Sequence, residues 1–117
     1  MKKFYYLSTC DTCKRIMKEL DLPVDIELQD IKKTPITPEE LDHLYASTKS
    51  YESLLNKRSQ LYKQRGLKDE TLSEDDIRSL ILEQYTFLKR PVLVLGTEVF
   101  AGNSKKTVAE AKSALSS

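Results

Sequence analysis

The sequence predicts an α/β fold of order β-α-β, then helices, then β-β-α, and three observations carry that expectation. A short aromatic-rich run at residues 3–7 gives way at once to Ile16, Met17 and Leu20 at the spacing of one helix face. Residues 91–95 and 98–100 are strand-like runs separated only by Gly96-Thr97, the two-residue hairpin pattern. Between about residues 37 and 86, the chain carries helix signals and no strand signal.

Taken in order, residues 3–7 (Lys-Phe-Tyr-Tyr-Leu) form a first strand ending at Ser8-Thr9, and the first helix follows directly. Leu22-Pro23 breaks the helical pattern. Residues 24–28 (Val-Asp-Ile-Glu-Leu) then alternate apolar and charged side chains, which predicts a half-buried second strand. After a polar connection at 32–35, Thr37-Pro38-Glu39-Glu40 combines an N-cap, a proline at the first helical position and a glutamate three residues after the cap. The helix so begun turns Leu41, Leu44 and Tyr45 inward.

A broken helical stretch at 51–65 carries Leu54, Leu55, Leu61 and Tyr62, and Gly66 stops it, because glycine adopts positive φ without strain. Ser73-Glu74-Asp75-Asp76 opens a further helix with Ile77, Leu80 and Ile81 at helical spacing. After the hairpin, Gly102-Asn103-Ser104 punctuates the chain, and Val108, Ala111 and Leu115 mark a closing helix. This order describes a thioredoxin-like fold: a small mixed four-stranded sheet with flanking helices and a helical insertion at about 37–86, within one domain of residues 1–117.

Composition bounds the function. One domain suits 117 residues, and 19 Lys and Arg against 18 Asp and Glu leave a net charge of +1, no broad field for nucleic acid or membrane. No run approaches the roughly 18 apolar residues of a membrane span, and Met1-Lys2-Lys3 leads into a strand rather than a signal-peptide core. The expectation is a cytoplasmic protein that contacts neither membrane nor nucleic acid directly.

Both cysteines lie in one tetrad, Cys10-Asp11-Thr12-Cys13, which rules out a distributed disulfide framework. Structural zinc needs four ligands, and His43 is the only histidine, so no metal is expected. Two packed small hydrophobes remain an alternative to redox chemistry. The neighbours favour redox chemistry, because Cys10 falls at a strand-to-helix junction, where unpaired N–H groups and the helix dipole stabilise a thiolate. Cys13, one turn on, is spaced to attack a mixed disulfide formed at Cys10. Asp11 opposes the thiolate while Lys14 and Arg15 favour it, so the residues alone leave the net shift open.

Three separated motifs, Ser8-Thr9-Cys10-Asp11-Thr12-Cys13-Lys14, Asn56-Lys57-Arg58-Ser59 and Lys89-Arg90-Pro91-Val92, occur in one order. On these the chain resembles the arsenate reductase (ArsC) and Spx family along essentially its whole length. The resemblance implies that Cys10 is the reactive thiol, that Arg90 helps bind an oxyanion, and that Pro91 is a cis-proline facing the active cysteine. Arg58 would supply a second guanidinium fork, which suits an oxyanion and stays charged at any relevant pH.

The chain departs from the reductase pattern in two places. Asn56 stands where reductases carry a further arginine, and residues 100–106 contain none, leaving Lys105 as a point charge. Asn56, Arg58 and Lys105 are thus the expected substrate-binding residues beside Cys10, Cys13 and Arg90.

The implied activity is that of a thiol oxidoreductase acting on a small oxyanion or a disulfide. It binds no cofactor, and glutathione or glutaredoxin is its electron donor. The alternative is an Spx-like redox-sensing transcription regulator that binds the α-subunit of RNA polymerase through a Cys10–Cys13 switch.

Overall fold

In the computed structural model, which describes residues 2–116, the strands and helices are β1 (Lys2–Tyr6), α1 (Asp11–Leu20), β2 (Glu27–Asp30), α2 (Pro38–Thr48), α3 (Gln60–Gln64), α4 (Glu74–Glu83), β3 (Val92–Leu95), β4 (Glu98–Ala101) and α5 (Lys105–Leu115). Short 3-10 turns lie at Glu52–Leu54, Leu67–Asp69 and Tyr85–Phe87. Met1 and Ser117, the ends of the expected 1–117 domain, lie outside the described residues. The chain divides into two compact units, one comprising the residues up to Thr34 with those from Arg90 onward, the other Pro35–Lys89.

The first unit holds the mixed four-stranded sheet, in the order β2-β1-β3-β4. β1 pairs parallel with β2 and antiparallel with β3, and β3 pairs antiparallel with β4 across Gly96-Thr97, where Gly96 takes φ 62°. Register sets the faces: Phe4 lies opposite Leu93, and Leu93 opposite Phe100. Phe4 and Leu93 pack with Ile16 and Leu20 of α1 and with Val108 and Ala111 of α5, forming the core of this unit. Each such large side chain contributes about 1.5–3 kcal/mol when fully buried. Tyr5, Val92 and Val94 point to the opposite face and are buried as well, which is why β3 reads as an unbroken apolar run.

The second strand corrects the sequence reading. Residues 24–26 lie off the ladder, because the Pro23 carbonyl accepts the Ile26 N–H at 3.2 Å and closes a turn, and pairing begins only at Glu27. The expected alternation of Val24, Ile26 and Leu28 therefore fails. Ile26 alone is buried, Val24 is fully exposed and Leu28 half exposed. The inward position belongs to Gln29, whose Nε2 donates to the Thr34 carbonyl at 2.8 Å. Charge pairs suit the observed register, with Lys2 Nζ 3.0 Å from Asp25 and Lys3 Nζ 3.0 Å from Glu27.

The second unit is helical. Thr37 and Glu40 close a capping box on α2 behind Pro38, and Ser73 and Asp76 close another on α4, each satisfying N–H groups that a helix start leaves open. Leu41 and Leu44 of α2 and Ile77, Leu80 and Ile81 of α4 are buried. Asp42 receives Arg78 Nε at 2.9 Å, Arg78 Nη2 at 3.1 Å and the Tyr51 hydroxyl at 2.6 Å, joining both helices to the intervening turn. Tyr45 stacks on Tyr51 at 4.4 Å between centroids.

Candidate active site

Cys10 is the N-cap of α1, in extended backbone geometry (φ −99°, ψ 112°) at the point where the chain leaves β1. Its own N–H donates to the Leu7 carbonyl at 3.0 Å, so residues 7–10 form a tight turn that delivers the sulfur to the helix start. Both cysteines are free thiols; Cys10 is partly exposed and Cys13 buried. The residues between them form the first turn of α1, with Asp11 and Thr12 ahead of Cys13.

Burial works against a charged sulfur at Cys10, yet three groups outweigh it. The Cys13 backbone N–H, the Cys13 thiol and the Arg90 guanidinium all act on the sulfur and hold its pKa below the ordinary thiol value. Sulfur is a weak acceptor and no full capping bond forms, but the N–H dipole still favours the thiolate. Cys13 has the opposite fate. Burial first, then the neighbouring Cys10, push it up to about 12 against the help of the Leu7 N–H. Two thiols one turn apart thereby differ, the thiolate being favoured at Cys10 and the protonated thiol at Cys13.

Arg90 acts on Cys10 from the start of the strand pair, immediately before the Arg90-Pro91 bond, which is cis. Its Nε and Nη1 are shut away from water and have no hydrogen-bond partner. Buried guanidinium donors without an acceptor are uncommon and point to an anion as their natural partner.

Cys10, Cys13 and Arg90 are thus brought together, with Pro91 beside them. Lys105 is the exposed first residue of α5, behind the N-cap Ser104. Asn56 and Arg58 stand in the helical unit. There the Asn56 amide is committed internally: Oδ1 accepts the Arg58 N–H at 3.1 Å and Nδ2 donates to the Thr86 carbonyl at 3.3 Å. Both ends of the amide thus have a partner within the helical unit.

Two contributors went unread in the sequence. The Leu7 main chain serves both cysteines, and Asp30 at the end of β2 accepts the Ser8 N–H at 3.4 Å. A main-chain donor leaves no residue-type signal, and Asp30 reads as one polar residue among many. Among the described residues, no group of three or more His, Cys, Asp or Glu side chains gathers to hold a metal ion, and no helix is long and apolar enough to cross a membrane.

Comparison with known proteins places this geometry. The model of the ArsC family matches residues 5–111. The regulatory protein MgsR of Bacillus subtilis is 28% identical over 103 residues, 85% of this chain and 80% of that protein. The Staphylococcus aureus protein SACOL0876, solved in solution, is 32% identical and superposes with a TM-score of 0.77 over 94% of this chain and 97% of its own. An arsenate reductase from Vibrio cholerae, 21% identical, shares the fold with a TM-score of 0.78 over 94% of this chain and 96% of its own.

Proposed function

The chain belongs to the ArsC family, and from that premise we propose that it is a thiol-based oxidoreductase whose nucleophile is the Cys10 thiolate. The observation that carries the reading is that the Arg90 guanidinium acts on Cys10 while its buried Nε and Nη1 have no hydrogen-bond partner. A guanidinium so placed stabilises the thiolate before reaction and negative charge on a bound oxyanion or leaving thiolate during it.

With a mixed disulfide R–S–S–R′, Cys10 attacks one sulfur, forms Cys10–S–S–R and expels R′–S⁻. Cys13, on losing its proton, attacks the Cys10 sulfur, expels R–S⁻ and leaves a Cys10–Cys13 disulfide, which two molecules of glutathione or a reduced glutaredoxin return to the dithiol. An oxyanion such as arsenate would meet the same thiolate and the same arginine, with Lys105 as a further cation. The test is turnover of arsenate, and separately of a glutathione mixed disulfide, by purified reduced protein. Activity with either above that of Cys10→Ala supports the reading, and none with both removes it.

Similarity to the regulatory protein MgsR favours a second reading, in which oxidation of Cys10 and Cys13 changes a surface that engages the α-subunit of RNA polymerase. Pull-down against the carboxy-terminal domain of that polymerase subunit, with oxidised and reduced protein, tests it. Binding in one redox state supports a switch, and absence of binding in both removes it.

A further inference from the structure

Resting on the reading that Cys10 is the reacting thiol, we propose that Asp30 is the positioning residue that locks the Leu7-to-Cys10 turn. Asp30 ends β2 opposite Tyr6, and the strand pairing there is completed by main-chain groups alone, with the Ile31 N–H on the Tyr6 carbonyl at 2.9 Å. The carboxylate is therefore not needed to hold the sheet. It turns instead to the loop. Oδ1 accepts the Ser8 N–H at 3.4 Å and the Lys32 N–H at 3.1 Å, and the Ser8 side chain also acts on the carboxylate, holding its pKa below the usual range.

Its other oxygen, Oδ2, is shut away from water with no hydrogen-bond partner. A buried acceptor left in that state opposes folding, so the acid occupies a place that stability alone would not choose. Ser8 is the second residue of the turn whose first residue, Leu7, gives its carbonyl to Cys10 and its N–H to the Cys13 sulfur. One carboxylate thus holds the segment from which both sulfurs are set.

Charge and position predict opposite signs, which makes the idea testable. Removing an anion near a thiol favours the thiolate, whereas loosening the turn takes the sulfur away from the N–H and guanidinium groups that stabilise it. The experiment is the pH profile of Cys10 alkylation by iodoacetamide in the full chain, read by mass spectrometry of the Cys10 peptide, for wild type, Asp30→Ala and Asp30→Asn, with circular dichroism as the control for folding. Asp30→Ala is expected to move the midpoint up and to slow alkylation at pH 7 by about tenfold, the equivalent of about one pKa unit. Asp30→Asn, which keeps a carbonyl for Ser8, is expected to stay within about twofold of wild type or to move slightly downward, because it removes only the charge.

A wild-type midpoint and rate in folded Asp30→Ala overturn the proposal, as does an Asp30→Asn shift as large and in the same direction as that of Asp30→Ala. Should Asp30→Ala fail to fold, Ser8→Ala removes the side-chain contact alone; an upward shift there supports the proposal, and an unchanged profile overturns it. A wild-type Cys10 that alkylates like an ordinary thiol overturns the parent reading and this one together. An activated wild type with an indifferent Asp30→Ala overturns this one alone.

Discussion

The Arg90 guanidinium acts on the sulfur of Cys10, while its buried Nε and Nη1 have no hydrogen-bond partner. The two residues are eighty positions apart in sequence and meet because β3 pairs with β1, so that a residue just ahead of β3 comes to the end of β1 from which Cys10 emerges. Removing this cation should raise the Cys10 pKa, because burial then acts with less opposition. Arg90→Ala is expected to slow Cys10 alkylation at pH 7 by about tenfold or more, given the one to three units an adjacent arginine commonly contributes. Arg90→Lys should recover part of the rate, since it restores charge without the fork. An Arg90→Ala profile matching wild type would show that the pair has no electrostatic consequence.

Cys13, pushed up to about 12, should remain a thiol across the range in which Cys10 reacts. Alkylation at pH 7 is therefore expected to label Cys10 at least about tenfold faster than Cys13, because only the thiolate is nucleophilic. In Cys13→Ser, a glutathione adduct on Cys10 should persist, visible as a stable added mass, whereas wild type should expel glutathione and lose two hydrogens to the internal disulfide. Equal persistence of the adduct in both proteins would mean that Cys13 does not resolve it.

Much of the site was legible because its signals are local. Cys10 and Cys13 sit one turn apart, and the change from aromatic strand to helix-spaced Ile16 and Leu20 marks the junction without any knowledge of the rest of the chain. The Thr37 and Ser73 caps were legible for the same reason. Arg90 was legible only through its motif, because nothing about a lone arginine before a proline says which thiol it will meet. The second strand was misread because periodicity reports alternation, not pairing. Val24, Ile26 and Leu28 alternate well, but the Pro23-to-Ile26 turn takes the first two off the ladder, and an edge strand leaves Leu28 half exposed. The internal partners of the Asn56 amide were not legible, since they are set by tertiary structure, here the Thr86 carbonyl thirty residues away.

That displacement of β2 yields a stability contrast. Leu28→Ala should cost no more than about 0.5 kcal/mol, as a half-exposed side chain on an edge strand. Leu93→Ala removes a side chain 2% exposed in the sheet core and should cost about 2–5 kcal/mol. Urea denaturation midpoints of the two variants measure the difference. Comparable losses would place Leu28 in the core after all.

Away from the cysteines, Asp42 should set the acid limb of stability in the helical unit. Arg78 chiefly, then the Tyr51 hydroxyl, hold its carboxyl down to about 2, against about 3.9 for an unperturbed aspartate. A carboxyl lowered in the folded state binds fewer protons there than in the unfolded chain, so it favours folding at pH values above the unfolded pKa. That contribution is fully present above about pH 5 and declines as pH falls from about 4 through about 2, where the folded carboxyl also protonates. Asp42→Asn keeps the shape and can still accept from Tyr51, but it has no proton to gain. Its urea midpoint is expected to lie below wild type at pH 6 and to converge on wild type as pH falls below about 2, where both side chains become neutral. Parallel curves across that window would mean that Asp42 is not the titrating group. The same comparison in 1 M salt should narrow the gap at pH 6, since the Asp42–Arg78 pair lies near the surface, where added ions screen it.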